Sequence, residues 1–122
     1  MPRWRIIPTA AHGFLDFASG IALIVVALLA TDRDVLRSIF VIIGCGILLY
    51  SAFTDYEFGI FRILRVRVHL AIDFLLGVAV LILPSLVGMP AVPKIALYVL
   101  GLVSIVAALT TRLHAKHQRT KG

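Results

Sequence analysis

The sequence predicts an all-α membrane protein of four transmembrane helices, arranged as two parallel helical-hairpin repeats. Three observations predict it. Of 122 residues, 61% are hydrophobic and 15% charged, with a mean hydropathy of +1.04; soluble domains run nearer ~25% charged and ~45–50% apolar. The apolar residues gather into four runs, each long enough for the ~17–25 helical residues that span a bilayer. The first half of the chain also aligns with the second. The chain is too short for two large domains and reads as one transmembrane domain over residues 1–122.

The first run extends from about Thr9 to Ala30. A basic start invites comparison with a cleaved signal peptide. His12 and Asp16 interrupt its apolar region, however, and a cleavage signal near Leu28-Leu29-Ala30 is weak, so it is read as a span. The second extends from about Val35 to Phe53 and carries Cys45, the only cysteine. No intrachain disulfide can form, and a mid-span thiol is expected to be buried and to pack. The third run extends from about Val68 to Gly88 and the fourth from about Pro93 to Thr111. Backbone groups in lipid must be satisfied internally, so each span is a helix.

Between the second and third spans, segment 55–65 is neither a clean span nor a polar loop. From Tyr56 to Val68, Phe58, Ile60, Phe61, Ile63 and Leu64 alternate with Glu57, Arg62, Arg65 and Arg67, a pattern expected for a short helix lying in the interface. Trp4 and Tyr56 fit the same interfacial belt. The other linkers, Thr31 to Asp34 and Val87 to Pro93, are too small to form an extramembrane domain.

Twelve Lys and Arg against six Asp and Glu give a formal charge of +6. The basic residues flank apolar runs, which argues for membrane topology and against nucleic acid. Arg3, Arg5, Arg62, Arg65, Arg67, Arg112, Lys116, Arg119 and Lys121 share one side of a four-span chain, nine cations in all; only Arg33, Arg37 and Lys94 face the other. This asymmetry places both termini in the cytoplasm. The basic tail 112–122, with Arg112, Lys116, Arg119 and Lys121, is expected to bind anionic lipid headgroups at ~1 kcal/mol per cation.

A shift of 57 residues aligns segment 9–54 with 66–111 and gives nine identities over 46 positions. His12 falls on His69, Asp16 on Asp73, Gly20 on Gly77, Gly44 on Gly101 and Thr54 on Thr111; the basic Arg37 meets Lys94. Shared hydrophobicity does not produce polar matches, so the chain reads as a duplicated hairpin. Two spans per unit make the copies parallel, related by an axis along the membrane normal. The glycines, with Ser104 and Ala108 beyond Gly101, permit close helix crossing.

His12-x-x-x-Asp16 and His69-x-x-x-Asp73 place each pair on one helix face. Asp16 lies roughly 8–11 Å inside its helix start, where a carboxylate costs up to ~2.5–3.5 kcal/mol. Such residues are expected to face the bundle interior. Three chemistries are compatible with them. The first is a polar clamp, with each imidazole bonded to its own aspartate or to that of the other copy. The second is a divalent-metal site of two His and two Asp. The third is a proton path, or a haem held between His12 and His69. The paired HxxxD pattern is similar to the transport site of cation-diffusion-facilitator zinc transporters, which have six spans and a cytoplasmic metal-binding domain. Depth argues against transport, because the residues lie toward one end rather than at the midplane.

A secondary polar cluster of Asp55, Glu57, Arg62 and Arg65 is expected to form simple ion pairs. His114-x-x-His117 has ligand-like spacing but lies in the basic tail. No nucleophile–base arrangement, Gly-rich phosphate loop or CxxC occurs, so no catalytic function is expected.

The run His12-Gly13-x-x-Asp16-x-x-x-Gly20, then Thr54-Asp55-Tyr56-Glu57-x-Gly59, then Arg67-x-His69-x-x-x-Asp73-x-x-x-Gly77 resembles the SPW-repeat family of small bacterial integral membrane proteins. Those proteins carry a duplicated two-helix unit, and the similarity covers nearly the whole chain. Where the family signature Ser-Pro-Trp closes each first helix, this chain has Ala30-Thr31-Asp32 and Leu83-Pro84-Ser85. The resemblance implies a multi-pass protein of the bacterial inner membrane and assigns no functional residue. The overall expectation is a non-catalytic accessory or scaffold subunit that associates through its helices with itself or a larger membrane complex. The alternative is a metal- or haem-binding protein or transporter built on His12, Asp16, His69 and Asp73.

Overall fold

The computed structural model describes residues 2–115. It is all-helical, with α1 (Thr9–Leu29), α2 (Asp34–Ala52), α3 (Val66–Leu86) and α4 (Ala91–Thr110). All four are long and apolar enough to cross a membrane. Helix starts are set by residues that cannot or need not continue a hydrogen-bond ladder backwards. Pro8 and Pro90 are extended immediately before α1 and α4, and Pro93 sits in the first turn of α4, where no helical N–H is needed. α3 begins at Val66, two residues ahead of the expected start.

Each helix packs mainly on its hairpin neighbour, α1 on α2 and α3 on α4. A Cβ added to Gly44 would lie 2.8 Å from the Gly20 carbonyl oxygen, and one added to Gly101 would lie 2.8 Å from that of Gly77. The same two glycine pairs therefore let backbone meet backbone in both hairpins. In lipid, where apolar burial supplies no drive between helices, such close contact is what holds them. Toward the α1–α2 and α3–α4 loops, the interior is an apolar plug containing Leu23, Leu36, Phe40, Val80 and Leu97. Toward the chain termini it is a smaller cluster of Tyr56, Val66, Leu70 and Ala115. Elsewhere the helices present large apolar side chains outward, among them Leu28, Ile42, Leu75 and Val99.

Arginines close the helix C-termini, where carbonyls lack intrahelical partners. The Arg37 guanidinium donates to the Ala27 and Thr31 carbonyls at 2.7–3.3 Å. Arg5 donates to those of Ala108 and Thr111 at 3.2 and 2.8 Å. Arg33 reaches the Gly88 carbonyl and joins the two loops.

Segment 55–65 corrects the expectation of an interfacial helix. Its N–H groups are drawn to the free carbonyls ending α2: Ile60 and Phe61 donate to Ala52, and Ile63 and Leu64 to Phe53, at 2.7–3.0 Å. Amides committed there cannot form an i→i−4 ladder, and Arg62 at φ 50 interrupts the chain further. The segment preceding α1 behaves alike. Ile7 and the end of α4 exchange bonds, from the Ile7 N–H to Thr110 and from the Arg112 N–H to Ile7, at 3.0 and 2.9 Å. Ile7 and Leu64 thus bridge Thr111 and Thr54 respectively, the same 57-residue offset that relates the hairpins.

Cys45 is also a correction. It is exposed on the outer surface of α2, because one residue beyond the buried Gly44 the helix has turned about 100° away from the contact.

Candidate functional site

The residues singled out for their chemistry meet in one layer between the two apolar clusters. His12, Asp16, His69 and Asp73 are all buried. The short contacts are crossed: His12 Nε2 lies 2.6 Å from Asp73 Oδ2, and His69 Nε2 lies 2.7 Å from Asp16 Oδ2. The same-helix pairs are longer, 3.3 Å for His12 to Asp16 and 3.2 Å for His69 to Asp73. Each imidazole therefore bonds the aspartate of the other hairpin.

The far side of each ring is fixed by a threonine at the end of a second helix. His12 Nδ1 is 2.8 Å from Thr111 Oγ1, and His69 Nδ1 is 2.7 Å from Thr54 Oγ1. Each threonine hydroxyl also bonds the carbonyl four residues back, Ala107 for Thr111 and Tyr50 for Thr54, at 2.6 and 2.7 Å. A hydroxyl has one proton to donate, and here the carbonyl takes it. Nδ1 must therefore be the donor toward the threonine oxygen. That leaves Nε2 directed at the carboxylates and assigns one shared proton to each short Nε2–Oδ2 contact. Two histidines, two aspartates and two shared protons sum to zero charge, which is how such a layer is tolerated inside an apolar bundle.

Two tyrosines complete the aspartates. Tyr50 donates its hydroxyl to Asp73 Oδ1, and the Tyr56 hydroxyl donates to Asp16 Oδ2 at 3.2 Å. Tyr56 is 1% exposed, which corrects its expected place in the interfacial belt. Burial pushes its phenol pKa up, and the neighbouring Asp16 charge adds to the rise. Ser104 donates to the Asp73 carbonyl at 2.9 Å.

Sequence reading found the four His and Asp residues but gave no part in this layer to Thr54, Thr111, Tyr50 or Tyr56. For the threonines the signal was present, since they match each other across the repeat. The tyrosines align with Leu113 and Ala107 and carry no repeat signal.

A cavity of about 20 Å³ adjoins the layer, lined by His12, Asp16, Tyr50 and Asp73 on one side and by Ser19 and Ser104 deeper in. That is room for one water. With both carboxylates within 3.3 Å of an imidazole nitrogen, no slot is left between the rings for a haem macrocycle. Leu23, Phe40, Val80 and Leu97 of the apolar cluster lie beyond the cavity, and a larger, mostly apolar recess of about 320 Å³ shares Ser19, Leu100 and Val103 with it. The ligand atoms of His12, Asp16, His69 and Asp73 lie within 4.8 Å of one another, a donor set able to hold a metal ion.

The residues of the secondary cluster lie at the terminal end of the bundle, beside the start of α1. The Thr9 hydroxyl donates to Glu57 Oε2 at 2.6 Å, Arg62 donates to the Gly59 carbonyl, and Asp55 shares a surface recess with Arg65, Arg67 and His114. In the tail, Arg112 is half-buried and its N–H is bonded to Ile7. Lys116, His117, Arg119 and Lys121 lie outside the described residues.

Comparison with protein-family profiles, curated proteins and solved structures finds no match. The fold and site define the class: an all-helical protein of four membrane-span-length helices around a buried His–Asp layer.

Proposed function

We propose that this chain is a small non-catalytic protein of the bacterial inner membrane, built from a duplicated hairpin, in which the His–Asp layer locks the two hairpins in register. The locked bundle serves as an accessory or scaffold subunit. It presents its outward helix faces to a second copy of itself or to a larger membrane complex, with both termini cytoplasmic and anionic headgroups at the basic end.

One observation carries this reading. The crossed His12–Asp73 and His69–Asp16 contacts commit the reactive side chains to each other, with threonine and tyrosine hydroxyls taking their remaining bonds. A side chain used on both sides to join helices is disposed for holding rather than turnover. The positive excess around the termini supports the orientation. The matched glycine, threonine and His–Asp contacts support the duplication. With four helices and short loops, lipid-facing helix surface is the main area offered to a partner.

Native electrophoresis of gently solubilised membranes tests the association, alongside single-molecule bleaching of protein labelled at the outward-facing Cys45. Migration well above the 13.3 kDa chain with its bound detergent, or multiple bleaching steps in sparse vesicles, is the expected result. A monomer at every density with nothing co-migrating contradicts it.

A further inference from the structure

We infer that the His–Asp layer is a divalent-cation site, in which one ion bound by His12 Nε2, His69 Nε2 and one oxygen each of Asp16 and Asp73 replaces the two shared protons. This deepens the lock reading, since the ion would tie the same two hairpins, but it stands on a separate geometric argument.

Three features carry it. The four donor atoms are gathered from two helices within 4.8 Å. Asp73 Oδ2 lies 2.6 and 3.2 Å from the two imidazole nitrogens, while Asp16 meets His69 through Oδ2 at 2.7 Å and His12 through Oδ1 at 3.3 Å. Four-coordinate zinc, with bonds of ~2.0–2.1 Å to histidine and carboxylate, requires neighbouring donors ~3.3 Å apart. The two crossed contacts must open by ~0.6 Å, and donors as far apart as 4.8 Å must close by up to ~1.5 Å, for all six edges to match.

The second feature is ring orientation. A metal-binding histidine characteristically donates its other N–H to a fixed acceptor, which sets the tautomer and aims the free lone pair. Thr54 and Thr111 do this for both rings, and their own protons are anchored on backbone carbonyls. Tyr50 and Tyr56 support the carboxylates in the same way. Charge is the third. Two neutral imidazoles and two carboxylates carry −2, so one divalent ion gives the same zero sum as two protons. The exchange is balanced, with one ion entering and two protons leaving, and neither state buries net charge. Nitrogen and oxygen donors without sulfur suit zinc, and cobalt(II) can stand in for it.

The test is equilibrium dialysis of the folded, tag-free full chain in lipid nanodiscs against Zn²⁺ or Co²⁺ alone, with the metal counted per chain. The account expects one ion per chain, visible bands of four-coordinate cobalt, and a thermal midpoint that rises with Zn²⁺ concentration. Thr54→Val or Thr111→Val should weaken uptake ~10–100-fold, and Asp16→Asn/Asp73→Asn should abolish it while circular dichroism remains helical. Wild-type protein that is folded yet takes up no stoichiometric metal overturns the proposal. So does uptake that survives Asp16→Asn/Asp73→Asn, or that disappears in His114→Ala/His117→Ala, because the ion would then belong to the tail. Stability measured in chelator-treated buffer tests the lock separately, so failure of the metal site leaves that reading standing.

Discussion

His12 on α1 bonds Asp73 on α3 at 2.6 Å, although Asp16, four residues along the same helix, lies 3.3 Å from the same nitrogen. The mirrored choice, His69 to Asp16 at 2.7 Å against Asp73 at 3.2 Å, makes this a property of the layer rather than of one side chain. Its consequence is mechanical. Contacts within a helix would leave the hairpins free to slide, whereas crossed contacts fix their rotation and depth. Interhelical hydrogen bonds in membranes average only ~0.6 kcal/mol, so the layer contributes registry at least as much as stability.

The glycine crossings give the first prediction. At Gly44 and Gly101 an added Cβ meets backbone oxygen at 2.8 Å, and backbone cannot swing aside as a side chain can. Gly44→Ala and Gly101→Ala should each cost ~1–3 kcal/mol of unfolding free energy. Gly46 has nothing within 4 Å of an added Cβ, so Gly46→Ala should be neutral or stabilise by up to ~1 kcal/mol through helix propensity. Unfolding in bicelles measures all three; equal losses at Gly44 and Gly46 would contradict the packing described.

The threonines give the second. Thr54→Val and Thr111→Val keep volume and remove the acceptor for a buried Nδ1–H, which should cost ~1–3 kcal/mol each. Thr54→Ser and Thr111→Ser keep the hydroxyl and should recover most of that loss. Ring nitrogen chemical shifts read out the same change directly, because they report whether Nδ1 retains its proton and partner. Valine variants with wild-type stability and unchanged shifts would show that the threonines do not orient the rings.

Orientation gives the third. In a Cys45→Ser background, a cysteine at Arg62 should react with a membrane-impermeant maleimide only after the inner membrane is opened. One at Asp32 should react in intact spheroplasts. The opposite pattern would invert the topology read from the cation excess.

Much of this architecture was legible before any coordinates. Hydropathy alone located four helices whose ends the structure moves by no more than two residues, and the 57-residue offset picked out His12, Asp16, His69, Asp73 and the crossing glycines. The direction of the His–Asp bonds was not legible. Spacing i, i+4 places both groups on one face, but the angle between α1 and α3 decides which aspartate comes nearer. Tyr56 misled because an aromatic residue beside charges at a span end resembles an interfacial anchor. In the folded chain the α2 carbonyls capture the segment from Ile60 to Leu64, and Tyr56 is buried against the layer. Cys45 was readable in retrospect, since Gly44 next to it marks the contact face.

The central claim, that crossed His–Asp contacts hold the hairpins together, is tested most directly by paired double-mutant cycles in chelator-treated bicelles. One cycle combines His12→Ala with Asp73→Ala and the other His12→Ala with Asp16→Ala, with coupling read from unfolding free energies. The account predicts that His12 couples to Asp73 at least ~1 kcal/mol more strongly than to Asp16. Equal couplings, or a stronger one within the helix, would contradict it.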